Sequence, residues 1–187
     1  MITRTLFTLL LVLFLGSNFL SPAATVQQRD HLTPQEVDLV KEAQVLDKRI
    51  DVFIKAAERR MMIITGVTAP TTKQSKKDAE RWGELPTGSR ADLVSDIARI
   101  LDEAITNIDD VSARDERNPL ISKSLRKLAQ SVNTIMGQLK PLSAEAKSEA
   151  EVASFEMLNE DAQSILEAAN KLPPEVEKKA AKKNDKN

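Results

Sequence analysis

Few side chains in this sequence are equipped to do chemistry. The chain of 187 residues has one histidine, His31, no cysteine and no tyrosine. Without thiols there is no disulfide framework, no thiolate metal site, no covalently attached haem, no thiol nucleophile and no cysteine-borne lipid anchor. A bundle di-iron centre needs Glu-x-x-His on two helices, which one histidine cannot supply. His31 precedes the helical region and reads as a solvated end residue. The densest acids, Asp102, Glu103, Asp109 and Asp110, fall at outward positions of a helical pattern and follow no Asp-x-Asp-x-Asp-Gly loop. Nucleophile-elbow, phosphate-loop and dinucleotide fingerprints are all missing. The expectation is a protein that is not an enzyme and holds no metal or cofactor.

One stretch stands apart. Arg59-Arg60 precedes an all-apolar run, Met61-Met62-Ile63-Ile64, and the only tryptophan, Trp82, follows in a long connection. These apolar residues exceed one helical stripe, methionine adapts to irregular surfaces, and tryptophan is over-represented at binding hot spots. Arg59, Met62, Ile63 and Trp82 are therefore the candidate contacts for a partner or ligand. One use is an apolar mouth with Arg59-Arg60 beside it for an anionic head group. The plainer use is packing: the connection covers the excess, and Trp82 plugs an open end.

These residues must be positioned by helices. Hydrophobic residues make up 41% of the chain and charged residues 29%, against only 3% aromatic, a balance that suits helices rather than sheet. Thr33, Pro34 and Glu36 form a helix start with a capping box, flanked by Leu32 and Val37 as a hydrophobic staple. From there Leu39, Ala43, Leu46, Ile50, Phe53, Ala57 and Ile64 step by fours and threes, with Arg60 the one polar entry, and Gly66 is the stop. The spacing predicts one unbroken helix over 33–65. Residues 67–88 form a long connection in which Lys76 to Trp82 can make a helical turn. Ser89 and Asp92 open a second helix, with Val94, Ile97, Leu101, Ala104, Ile108 and Val111 as its seam. Asn118-Pro119 starts a third, with Ile121, Leu125, Leu128, Val132, Ile135 and Leu139, and Pro141 ends it at Lys140. Ser143 caps a fourth, with Phe155, Leu158, Ala162, Ile165, Ala169 and Leu172, closed by Pro173-Pro174.

Charge divides by helix. The second predicted helix carries six acids against Arg90 and Arg99, the third carries four bases and no acid, and the fourth is strongly acidic. That pattern predicts pairing across bundle edges, which orients helices more than it stabilises them, since an exposed pair contributes about 0–1 kcal/mol.

The ends read differently. Residues 1–23 follow the secretory signal pattern: Arg4, the apolar run Leu6 to Gly16, then Ser21 and Ala23 at the small positions before cleavage. Phe19-Leu20 lengthens the apolar part, so retention as an anchor is the alternative. Cleavage leaves a net charge of -2, which gives no reason to expect nucleic acid as a partner. From Lys178 the tail holds five lysines and one aspartate in ten residues, a composition that predicts disorder.

Leu32-Thr33-Pro34-Gln35 resembles the start of the Leu-Thr-x-x-Gln motifs of small helical periplasmic chaperones, with the glutamine one position early and no second copy. The resemblance covers about five residues, which helix capping also explains.

The fold expected is all-α, an up-down-up-down four-helix bundle. It comprises a signal peptide (1–23), a lead-in (24–32), a helical body (33–172, helices about 33–65, 89–113, 118–140 and 143–172) and a Lys-rich tail (173–187). An elongated hairpin completed by dimerisation is the alternative arrangement. The function expected is binding, by a secreted or periplasmic protein with no stable membrane span after cleavage. The partner is an envelope protein or a second copy of the chain. The rivals are a carrier of an apolar or lipid-like ligand between helices and an envelope-stress chaperone.

Overall fold

The computed structural model of the chain describes residues 29–67 and 73–174. The expected signal peptide, most of the lead-in, residues 68–72 of the connection and the tail from 175 lie outside the described residues. Within them the chain is helical, with no strand. The elements are α1 (Pro34–Glu42), α2 (Leu46–Thr65), α3 (Lys73–Trp82), α4 (Arg90–Arg114), α5 (Pro119–Ala144) and α6 (Glu149–Asn170). None is long and apolar enough to cross a membrane.

The caps read from the sequence at Thr33, Ser89 and Asn118 form. The Thr33 hydroxyl accepts from Glu36 N (3.3 Å) while Glu36 Oε2 accepts from Thr33 N (2.9 Å). Ser89 and Asp92 make the same reciprocal pair, and Asn118 caps α5 ahead of Pro119. Gly66 ends α2 at φ 68°, a left-handed conformation that costs a residue with a Cβ.

Three boundaries differ from the sequence expectation. The helix over 33–65 is broken at Ala43–Val45. No proline or glycine marks this break. It is stabilised by side chains that bond the freed carbonyls: Arg49 Nε donates to Ala43 O (2.9 Å) and Gln44 Nε2 to Lys41 O (2.5 Å). Pro141 does not stop α5 at Lys140. The helix continues one more turn, which forfeits the N–H bond to Gly137 O that proline cannot make, and the Ser143 hydroxyl donates to Lys140 O (2.9 Å). Ser143 therefore lies inside α5, and Ser148 caps α6, accepting from Glu151 N (3.2 Å).

The core is built from the predicted seams. Ile50, Phe53 and Ala57 of α2, Val94, Ile97, Leu101, Ala104 and Ile108 of α4, Leu128, Val132, Ile135 and Leu139 of α5, and Leu158, Ala162 and Ile165 of α6 are all buried. Each large aliphatic side chain so placed contributes about 1.5–3 kcal/mol from removal of apolar surface. α2 packs against α4 and α5, and α6 packs against the same two. α4 and α5 meet less, and α2 and α6 make no close approach. α4 and α5, joined by the short link 115–118, thus lie across a diagonal rather than along an edge. α1 rests on α2, and the α3 backbone comes close only to α1.

Ion pairs fix the relative heights. Lys123 reaches Asp47 (2.7 Å) and Lys127 reaches Asp51 (2.6 Å), so the starts of α2 and α5 coincide. Arg90 meets Glu151 (2.9 Å), which brings the starts of α4 and α6 together. The basic helix thus pairs with Asp47 and Asp51 of α2, itself net basic with five bases against three acids, and not with its acidic sequence neighbours. The two acidic helices lie side by side instead. Burial, with Asp102 and Glu160 nearby, pushes the Asp161 carboxyl up to about 6.

Candidate functional site

The largest departure from a plain apolar core is a buried cluster of charge. Glu36 is 0% exposed, Arg60 1%, Asp96 3% and Arg59 4%. The Thr33 cap aims the first turn of α1 at α2, which places Glu36 between two consecutive arginines. Glu36 Oε1 accepts from Arg59 Nη1 (2.9 Å) and from Arg60 Nη1 (2.8 Å). Successive residues on a helix diverge by about 100°, so the two guanidinium groups then part. Arg59 turns to the end of the crossover, donating from Nη1 to Trp82 O (2.9 Å) and from Nη2 to Gly83 O (3.1 Å) and Glu84 O (2.5 Å). It caps the carboxyl end of α3 with a cation, and its guanidinium carbon lies 5.5 Å from the Trp82 ring centre. Arg60 turns to α4, with Nε 3.4 Å from Asp96 Oδ2, and donates from Nη1 to Ala56 O (2.9 Å) and from Nη2 to His31 O (2.6 Å).

A strap closes the cluster. Residues 29–33 lie against α4: Arg29 pairs with Asp96 and, at 3.9 Å, with Asp92, and Arg99 Nη1 donates to Arg29 O (2.8 Å). His31 is not a solvated end residue, because its Nε2 lies 2.8 Å from Glu103 Oε2 and its ring is largely covered. Gly88 makes room for this strap, since a Cβ there would lie 2.1 Å from Arg29 Nη1. Burial pushes the Asp96 carboxyl up despite Arg29 and Arg60, and burial pulls Arg59 down despite Glu36. The cluster holds elements together: both terminal nitrogens of each arginine are already bonded, and no nucleophile joins them.

The four candidate residues are brought to one end of α2 but not into one open site. Arg59 is buried and spent on Glu36 and three carbonyls, so it has no terminal donor left for a head group. Met62 and Ile63 are half-buried. Trp82 is half-buried under Arg59, the position of a plug, and borders a groove of about 560 Å³ at the α1–α2 break with Leu39, Val45 and Val52. In the sequence Arg60 reads only as a polar entry in an apolar seam, and Glu36 only as a cap. That polar entry was the one signal of the buried cluster.

A second concavity holds none of the four candidate residues. Between α5 and α6 runs a groove of about 640 Å³ with Met136, Leu139, Phe155 and Leu158 on its floor and Lys140, Val152 and Glu156 along its rims. It continues past Asn133 into a shallower hollow bordered by Arg126 and Asn170. Val152 is 42% exposed. Gly137 opens the floor further, with no atom within 4 Å of a Cβ position. Asp102, Asp109 and Asp110 face solvent, and among the described residues no group of three or more metal-ligating side chains is placed to hold an ion.

No protein-family model, curated protein or solved structure matches the chain.

Proposed function

We propose that this is an exported, non-enzymatic binding protein of the cell envelope, secreted or periplasmic after cleavage at Ala23. In this reading α2, α4, α5 and α6 form an up-down-up-down four-helix bundle whose outer α5–α6 face engages a protein partner. The single observation that carries the reading is the groove between α5 and α6. It is concave, apolar at its floor and charged at its rims, as the centre and rim of a recognition surface are. The Arg59 cluster supports it by contrast, because its polar groups are committed to joining α1, α3 and the strap to α2 and α4.

The test is retention. The full chain, immobilised and exposed to extract of its native envelope, is expected to hold a protein that is lost with Met136→Arg. That protein should be kept with Val67→Arg, an exposed position outside the groove. Equal retention by both variants and the parent removes the α5–α6 face from the reading. A carrier of an apolar ligand is the second reading, favoured by a groove volume within the range of small-molecule pockets, about 300–1,000 Å³. A lipid retained through native mass spectrometry, and lost with Met136→Arg, would select it.

A further inference from the structure

Resting on the reading of the α5–α6 groove as a protein-binding face, we infer that its partner is a second copy of this chain. The two copies dock face to face about a two-fold axis parallel to the helices. The inference comes from where the unpaired charges lie. Lys140 on the α5 rim and Glu156 on the α6 rim border the same groove, at similar heights, and neither makes an ion pair among the described residues. They do not reach each other across their own groove.

A two-fold axis parallel to the helices keeps heights unchanged and exchanges left for right. It therefore sets α5 of each copy against the partner's α6. Lys140 of one copy then faces the partner's Glu156, and the symmetry makes the contact twice, as an isologous interface requires. A two-fold axis perpendicular to the helices sets α5 against α5 and places bases opposite bases. Charge complementarity selects the first arrangement.

The apolar parts agree. Val152, exposed in the single copy, and the half-buried Met136 and Phe155 line the face that the second copy covers. Gly137 lets the partner's α6 approach α5 closely, because no side chain stands there. The α5 and α6 helices of both copies together make a second helical layer built on the same side chains that one copy leaves open.

The experiment is sedimentation equilibrium of the full chain over a wide concentration range, with charge reversal. The parent is expected to dimerise. Lys140→Glu alone and Glu156→Lys alone each place like charges together twice and should raise the dimer Kd by about tenfold or more. The double variant restores opposite charges and should return Kd to the parent value. Gly137→Leu should abolish the dimer without loss of thermal stability, because leucine favours the helix that glycine disfavours. A parent that stays monomeric, or a double variant as weak as the singles, overturns the second copy. A monomeric parent that still loses an envelope protein on Met136→Arg overturns only the second copy and leaves the binding face standing. A dimer that Gly137→Leu leaves intact also overturns it.

Discussion

Glu36→Gln tests the buried cluster most directly. The substitution keeps size and shape but removes the one charge that both arginines share. In the parent, Glu36 Oε1 accepts from Arg59 and Arg60 at 2.9 and 2.8 Å, and Oε2 accepts from Thr33 N. Glutamine offers a single oxygen, and its NH₂ must point at either an arginine or the Thr33 N–H, both of them donors. Asp96 then remains as the only carboxylate near Arg60, at 3.4 Å, and Arg59 keeps only carbonyl partners. Breaking a buried pair by removing one partner costs about 3–5 kcal/mol, a large share of the roughly 5–15 kcal/mol that holds a domain together. With a urea slope of about 2 kcal/mol/M, the unfolding midpoint should fall by about 2 M. The assay is urea unfolding followed by circular dichroism and by Trp82, the only indole and a direct neighbour of Arg59. The double variant Glu36→Leu with Arg60→Met should lose clearly less than the two single changes added together, because it leaves fewer orphaned groups. A loss below about 1 kcal/mol for Glu36→Gln, or strict additivity in the double variant, refutes the account.

Other changes probe single features. Asp161 has a folded pKa of about 6, above its unfolded value, so its charge destabilises the fold above that pH, and the penalty fades as pH falls towards 4. Asp161→Asn should therefore stabilise by about 1 kcal/mol at pH 8, after allowance for solvent screening, and by little at pH 4; equal effects at both pH values would contradict this origin. Ser124 is buried with no partner for its hydroxyl among the described residues, so Ser124→Ala should raise stability by up to about 1 kcal/mol in thermal or urea unfolding. A loss of that size would mean the hydroxyl is bonded in solution. Truncation after Pro174 keeps the Pro173 carbonyl that Arg126 bonds and should leave thermal unfolding unchanged; a large drop in Tm would assign the tail a structural role.

How much of this was legible follows from the range of each interaction. Capping depends on residues three apart, so the boxes at Thr33–Glu36 and Ser89–Asp92 and the stop at Gly66 could be read directly. Seams are periodic, so the buried faces of α4, α5 and α6 were legible from Val94, Leu128 and Leu158 onward. The break at Ala43–Val45 was hidden because no local breaker encodes it; it depends on Arg49 reaching back to Ala43 O. Pro141 misled because a proline in a last turn removes one bond without ending the helix. The charge totals per helix also misled. Ion pairs form between particular heights, and the acids that meet Lys123 and Lys127 are on α2. At the candidate site, sequence placed Arg59, Met62, Ile63 and Trp82 near one another but could not show that Glu36 and the carbonyls of 82–84 use up Arg59. The α5–α6 groove is not legible in the sequence because both of its walls are ordinary seams, and concavity arises only from how two helices sit.

The strap has a mechanical consequence. Its contacts fall on residues 92, 96, 99 and 103 of α4, a row about 16 Å long at about 1.5 Å per residue. Tension applied to the chain ahead of Arg29, directed along α4, would load these contacts side by side. They would share the force instead of peeling one after another. The pull would also pass through His31 O to Arg60, and from there into the middle of the protein, before any helix began to unwind. Tension on the stretch ahead of α3 would meet a different resistance: that helix packs along α1 alone, and its far end is held through Arg59. The two segments beside the cluster therefore differ in strength by geometry, the strap resisting as a rope lashed along a spar and the crossover as a flap on a single hook.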